Sequence, residues 1–291
     1  MRRDRKRILQ RTTEALAHGR GLLGAEPRIF ATDAAGHATV LAREAVALGA
    51  DLLLVLGGDG TVNEAVNGLA GSGVPLGIIP AGTANVLSME LGLGSRIGRA
   101  LEGLAQCSAR RVALGHLIPA DGSSRYFVCM AGMGLDAKIV RQVNRALKDR
   151  TGKLAYWTAG LAQIPKRLEQ IEIRVHTADG PKLFRCGFVL ASRVRNYGGN
   201  LEIASGASLV RDDFEMVVFE GANPLRYAWY MLGVGVRRVQ RMQGVQTIAA
   251  RCIEVLTSAH LQIDGEYAGR QPARLETVPA ALNLLTPPNY G

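Results

Sequence analysis

The sequence predicts an α/β protein, a doubly wound domain followed by a β-rich one, on three observations. Residues 51–56 and 74–79 are continuous apolar runs, the mark of parallel strands buried on both faces. Segments with helical spacing alternate with such runs as far as Arg110, the order that builds a doubly wound sheet. Beyond Arg110 the pattern changes to short alternating segments divided by turn residues such as Asp179-Gly180 and Asp264-Gly265, the signature of a β-rich fold. The boundary is therefore placed near Arg110.

Taken in order, residues 5–17 read as an amphipathic helix with Ile8, Leu9 and Leu16 on one side. Residues 28–32 are a short strand. Residues 37–48 are a helix, with Leu41, Ala45 and Leu48 at helical spacing. The strand 51–56, the helix 61–69 and the strand 74–79 follow, then helices at 84–91 and 97–106. The second part reads as strands at 126–130, 171–177, 183–191, 215–219, 253–257 and 261–263, with helical inserts at 136–147, 154–168 and 225–241. The run 227–236 is about half the length of a membrane span and reads as a buried helix.

Composition narrows the function. Of the 291 residues 47% are hydrophobic and 21% charged, enough apolar side chain for a core and too little charge for a disordered chain. The 35 basic residues outnumber the 25 acidic ones, a net charge of +10 that suits a polyanion such as a nucleotide, nucleic acid or anionic lipid headgroup, or else reads as solvated basic faces that keep the protein soluble. Aromatics are only 5% and no Lys/Arg block is interleaved with them, so nucleic acid is not expected as a partner. Cys107, Cys129, Cys186 and Cys252 are far apart and form no C-x-x-C pair, which reads as buried thiols in a reducing compartment. Residues 1–7 are basic but no apolar stretch follows them, so no signal peptide is expected.

The chemistry concentrates at Gly57-Gly58-Asp59-Gly60-Thr61-Val62-Asn63-Glu64. This segment follows a buried strand and opens a helix. Its glycines let the backbone approach a ligand, and the helix N-terminus behind them favours an anion. In an open α/β sheet, ligands bind beyond the carboxyl ends of the strands. Thr61 and Glu64 also fit a capping box, a structural reading that can stand beside the functional one. The segment is neither a Walker A loop nor G-x-G-x-x-G.

Gly57–Glu64 resembles the G-G-D-G-T-x-N-E signature of the diacylglycerol kinase catalytic family, which includes bacterial lipid kinases and sphingosine kinases. The resemblance continues at Pro80-Ala81-Gly82-Thr83-Ala84-Asn85, at Gly132-Met133-Gly134-Leu135-Asp136-Ala137 and at Asp264-Gly265-Glu266. It implies an N-terminal doubly wound nucleotide-binding domain (residues 1–110), a β-sandwich-like lipid-substrate domain (111–270) and a C-terminal segment (271–291) that returns to the first. It implies an ATP-dependent lipid kinase with magnesium. ATP would lie on Gly57, Gly58, Asp59, Gly60, Thr61, Val62, Asn63 and Glu64, with Gly82, Thr83 and Asn85 from the second loop, and Thr32 would line the same site or be an ordinary strand-end hydroxyl. Asp264 would act as general base on the lipid hydroxyl, and Glu266 closes the same catalytic motif. An aspartate of ordinary acidity is a weak base at neutral pH, so orienting the hydroxyl is its larger contribution. Read locally, Asp264-Gly265 is instead a hairpin turn. Asp59 would organise metal and phosphates or serve as the base. Asp136 would meet the lipid headgroup or simply favour its helix N-terminus.

The sequence also departs from the family. The family pattern opens with a strand and an Asn-Pro-x-x-Gly-type loop, whereas this sequence begins in the following helix. Either the start is misassigned or the sheet lacks its first strand, and an uncovered sheet edge would favour a homodimer. Val86 stands where many members carry Asp. Arg211 stands at the aspartate of a structural magnesium site, which makes that site absent or shifted to Asp212. The implied partner is a lipid substrate at an anionic membrane surface, and the implied location is cytoplasmic with peripheral membrane association. Arg237, Arg238 and Arg241 would face that surface or simply form a solvated helix end. The alternatives are a catalytically degenerate lipid- or nucleotide-binding protein of the same fold, and NAD kinase.

Overall fold

The computed structural model describes residues 27–142, 168–198, 201–221 and 223–291. The chain divides into two compact units: one runs to Arg110 and takes in Leu282–Tyr290, the other is Arg111–Ala281. The expected helices at 5–17 and 154–168 lie outside the described residues, apart from Leu168.

In the first unit the two apolar runs become β1 (Leu53–Gly57) and β2 (Pro75–Pro80). They pair in parallel, with Leu53 beside Leu76 and Gly57 beside Pro80. The end of the long strand β11 (Glu266–Thr286) adds a third parallel member, with Leu284 beside Leu76. Tyr290 then closes the unit: its hydroxyl donates to Glu90 Oε1 at 3.0 Å, and its carbonyl accepts from Arg110 at 2.9 Å.

Helix α1 (His37–Ala47) buries Ala38, Ala42 and Ala45. Small residues at this spacing let it lie close on α2 (Asp59–Leu69), where a Cβ on Gly68 would stand 2.6 Å from Ala42 Cβ. Helix α3 is Val86–Glu90, and α4 is Ile97–Leu104, an amphipathic helix burying Ala100, Leu101 and Leu104. Residues 28–32 are not a strand but an irregular, largely exposed run. A strand needs a ladder partner for its backbone groups, and among the described residues none pairs with this run.

The second unit is antiparallel. It contains β3 (Ser108–Pro119), β4 (Arg125–Phe127), β5 (Met130–Gly134), α5 (Leu135–Gln142), β6 (Ile171–Thr177), β7 (Gly180–Ser192), β8 (Phe214–Glu220), α6 (Pro224–Gly235), β9 (Val245–Ala250), β10 (Cys252–Ile263) and most of β11. Strands β7 and β10 each change neighbour along their length. Both pair with β6 at one end and with β5 at the other. Strand β10 manages the change through an irregularity between Val255 and Ala259, which is why its sequence pattern breaks into two segments. Between the faces lies a core that includes Phe127, Ile173, Val189, Phe214, Met216 and Ile253.

Two expectations need correction here. The segment 126–130 is not one strand. It breaks at Val128 and Cys129, whose amides turn to a side chain instead of a ladder. Helix α6 ends at Gly235, Arg237 adopts a left-handed φ of 54°, and a short 3₁₀ turn follows at Val239–Arg241. This helix is not buried all round: Tyr227, Tyr230, Gly233 and Val234 face inward, whereas Leu225, Trp229 and Leu232 are exposed.

Candidate nucleotide and acceptor sites

The first unit builds a two-loop site. Gly58 is the N-cap of α2, so the helix starts at Asp59, two residues before the expected start at Thr61. Its first turn lies directly beyond the carboxyl end of β1, where aligned amides favour an anion. The second loop, Pro80–Asn85, packs against this turn by close backbone contact. A Cβ on Gly82 would lie 2.5 Å from Gly58 Cα, and the Ala81 amide donates to the Gly57 carbonyl at 2.9 Å. The glycines are therefore needed for one loop to touch the other. A Cβ on Gly57 would stand 2.7 Å from Thr61 Cβ, so the threonine of the motif rests on the first glycine.

Asn85 and Asp59 hold this arrangement. Asn85 takes a left-handed conformation, φ 49°, which asparagine tolerates. Its side chain accepts from Gly82 N at 2.9 Å and donates to Gly82 O at 2.8 Å, closing the loop on itself. Asp59 Oδ1 accepts from Val86 N at 2.6 Å, so the aspartate of the first loop caps the helix that follows the second. That bond uses the backbone of residue 86, so valine serves as well as any other side chain.

The expected nucleotide residues divide by placement. Gly57, Gly58, Asp59, Gly60 and Thr61 form the turn, and Gly82 and Thr83 are exposed beside it. Val62 is buried in the core and Asn63 is fully buried, taking a hydrogen bond from Asn67. Glu64 turns away: its carboxylate accepts from Ala38 N at 3.1 Å and its carbonyl from Thr39 Oγ1 at 2.8 Å. The capping box is thus replaced by a cap between helices, because α2 begins too early for Thr61 to cap it. Thr32 lies in the exposed run 28–32.

The second unit presents Asp264. Strands β10 and β11 are joined by a two-residue turn at Asp264-Gly265, with φ of 47° and 80°. Positive φ at both positions is the type I′ geometry. The hairpin reading therefore holds, and the turn also aims the carboxylate. Asp264 Oδ2 accepts from Val128 N, and Oδ1 accepts from Cys129 N and Met130 N, each at 2.9 Å. Three amides converge on one side chain, and an ionised carboxylate supplies acceptors for all of them. Glu266, the first residue of β11, pairs with Arg125 at 3.0 Å.

Beside this hairpin lies a buried polar group that centres on Asp136, in the first turn of α5. Gln262 Nε2 donates to Asp136 Oδ2 at 2.8 Å, the Tyr197 hydroxyl donates to Oδ1, and Gln262 Oε1 accepts from Gly265 N at 2.8 Å. Gln262 thereby links Asp136 to the Asp264 turn. A Cβ on Gly132 would overlap the Asp136 carboxylate, so the glycine of that motif makes room for it. Gln262 and Tyr197 were not singled out from sequence. Gln262 stands two residues before Asp264 near the end of β10, the only local signal that could have found it. Nothing local marks Tyr197.

The segment around Arg211 does not suit a bound divalent ion. The fully buried Arg193 guanidinium donates to the carbonyls of Leu209 and Arg211 at 2.9 Å and of Asp213 at 3.2 Å. Arg211 itself makes two 2.8 Å hydrogen bonds to the Asp213 carboxylate. Guanidinium groups therefore occupy the oxygens a cation would need. Among the described residues no three His, Cys, Asp or Glu side chains cluster as metal ligands.

A glycine-loop α/β unit and an antiparallel unit with a carboxylate hairpin together define the class, an NAD kinase/diacylglycerol kinase-like fold. Residues 2–117 match the diacylglycerol kinase catalytic domain, and residues 129–286 match the YegS C-terminal NAD kinase beta sandwich-like domain. The chain is 30% identical over 272 residues to a diacylglycerol kinase of Bacillus subtilis strain 168, covering 91% of this chain and 87% of that one. It is 31% identical over 249 residues to a diacylglycerol kinase of Mycobacterium tuberculosis, covering 84% and 79%. A crystal structure of a diacylglycerol kinase from Bacillus anthracis str. Sterne superposes with a TM-score of 0.67 at 20% identity, over 90% of this chain and 86% of that one. The chain belongs to the diacylglycerol kinase catalytic-domain family, a family of lipid kinases.

Proposed function

We propose that this chain transfers the γ-phosphate of ATP to the hydroxyl of a diacylglycerol-like lipid. The observation that carries the reading is the Asp264 hairpin: a carboxylate held by three backbone amides within a unit of this family. The transfer makes a bond from the lipid oxygen to phosphorus, breaks the bond from phosphorus to the ADP oxygen, and passes the hydroxyl proton by way of Asp264 to water. Asp264 accepts a hydrogen bond from that hydroxyl and aims its lone pair in line. Fixed by three amides, the carboxylate is a positioned acceptor more than a strong base. Glu266, paired with Arg125, sits at the foot of the same hairpin.

The two-loop turn supports the nucleotide half of the reading. The first turn of α2 favours the phosphates, and Gly58 and Gly82 let the backbone come close to them. Asp59 offers a hard oxygen of the kind magnesium takes, and magnesium with the nucleotide would neutralise charge on the transferring phosphates. Asp136, with Tyr197 and Gln262, is the polar group for the lipid headgroup. Peripheral contact with a membrane follows from such a substrate. No helix among the described residues is long and apolar enough to cross a bilayer.

The test is transfer of ³²P from γ-labelled ATP into a total lipid extract, with Asp264→Asn as control. A labelled lipid that fails to form with the variant supports the proposal, and its identity names the acceptor. NADP formation from NAD and ATP, with no lipid labelled, would replace it by NAD kinase. ATP binding without turnover on any acceptor would replace it by a degenerate binding protein.

A further inference from the structure

Helix α6 carries an apolar stripe that no other described residue of its unit buries. Leu225 is 80% exposed, Trp229 63%, Leu232 63% and Val236, at the helix end, 67%. At 3.6 residues per turn these four lie within about 60° of one another and extend over about 16 Å. The other side is well anchored. The Tyr227 hydroxyl donates to Phe219 O at 2.6 Å and accepts from Gly187 N at 3.0 Å, and Tyr230 stacks edge-on against Phe219. The helix cannot roll to hide the stripe without breaking these contacts.

Charge indicates what the stripe meets. Residues 223–243 contain Arg226, Arg237, Arg238 and Arg241 and no Asp or Glu. Arg237, Arg238 and Arg241 are exposed at the end of the stripe. Of the nearby carboxylates, Glu215 is held by Gln240 and Glu220 by Gln246. Exposed tryptophan and leucine edged by arginine suit an interface that is apolar within and anionic at its rim. A second copy of this chain would bring four more arginines against these.

We infer that the Leu225–Trp229–Leu232–Val236 stripe inserts into the headgroup boundary of an anionic bilayer, with Arg238 and Arg241 on the lipid phosphates. The choice of a bilayer as occupant rests partly on the lipid-kinase reading above. Its measurement does not, because binding needs no nucleotide and no turnover.

The experiment uses the full chain and vesicles of phosphatidylglycerol with phosphatidylcholine, compared with phosphatidylcholine alone. Sedimentation should show binding that depends on the anionic lipid and weakens with salt, since the charges are screened over about 10 Å at 0.1 M. Trp229→Ser with Leu232→Ser should lower the partition coefficient about tenfold for each side chain removed. Arg238→Gln with Arg241→Gln should lower it about fivefold for each charge. Leu225→Ser with Val236→Ser is a second test of the stripe should the first pair disturb folding. The chain has two tryptophans, so a Trp157→Phe background isolates Trp229, whose emission should shift to the blue on the anionic vesicles. Equal vesicle binding by wild type and both stripe variants would overturn the inference. So would a dimer in sedimentation equilibrium that the stripe variants dissolve while vesicle binding persists. Turnover in detergent micelles separates the two proposals. Absent turnover with vesicle binding as described removes the kinase and leaves the surface. Normal turnover with vesicle binding indifferent to the substitutions removes the surface and leaves the kinase.

Discussion

Replacing Asp264 by asparagine should cost stability as well as activity. The carboxylate accepts from Val128, Cys129 and Met130 amides at 2.9 Å each. Asparagine keeps one oxygen, which can serve Cys129 and Met130, and turns its NH₂ toward the Val128 amide. One hydrogen bond to a charged acceptor is lost, at about 1.5–3 kcal/mol, and the other two fall toward the neutral range of about 0.5–1.5 kcal/mol. The residue is half-buried, so water offsets part of this, and the net cost should be about 2–3 kcal/mol. For a unit of this size that lowers the melting temperature by roughly 4–12 °C. Thermal melts followed by circular dichroism, beside lipid phosphorylation at a temperature where the variant is folded, measure both effects. An Asp264→Asn protein that melts with the wild type would refute the reasoning, because the three amides would then be indifferent to the charge they surround. Loss of turnover alone would assign the carboxylate purely to chemistry.

Gly82→Ala places a Cβ against Gly58 and Asn85, so the two loops must separate; ATP affinity, measured by calorimetry, should fall at least tenfold, an order-of-magnitude figure for a displaced phosphate loop. Glu64→Ala should lower stability by about 1 kcal/mol through the lost cap on α1, whereas Glu64→Gln, which keeps an acceptor for Ala38 N, should bind ATP as the wild type does. Tyr197→Phe leaves Asp136 with one donor fewer, and the KM for the lipid should rise more than kcat falls. His260, whose pKa is lowered by burial and by Arg270, Arg141 and Lys138, is harder to protonate in the folded chain than in the unfolded one. Its contribution is present above about pH 6.5 and is lost as acid protonates it more readily in the unfolded chain, so His260→Gln should flatten the stability profile below that pH in denaturant titrations.

The sequence by itself determined much of the first unit, because buried parallel strands and glycine turns are local patterns. The runs at 51–56 and 74–79 became β1 and β2 within two residues, and the Gly57–Thr61 turn lies where a strand followed by a helix must place it. The Asp264-Gly265 turn was equally legible, since type I′ geometry is written in the dipeptide. Only the tertiary structure decided who meets whom. Residues 28–32 have strand composition but no ladder partner among the described residues, and strand formation requires one. Glu64 could cap its own helix or a neighbouring one, and packing of α1 on α2 chose the neighbour. Asp59 reaches Val86 across 27 positions and Tyr197 reaches Asp136 across 61, distances at which no periodicity carries information. Likewise the hydrophobicity of α6 announced a buried face, but which side chains stay exposed depends on where Tyr227 and Tyr230 are tied down, a choice made by the strands beneath them.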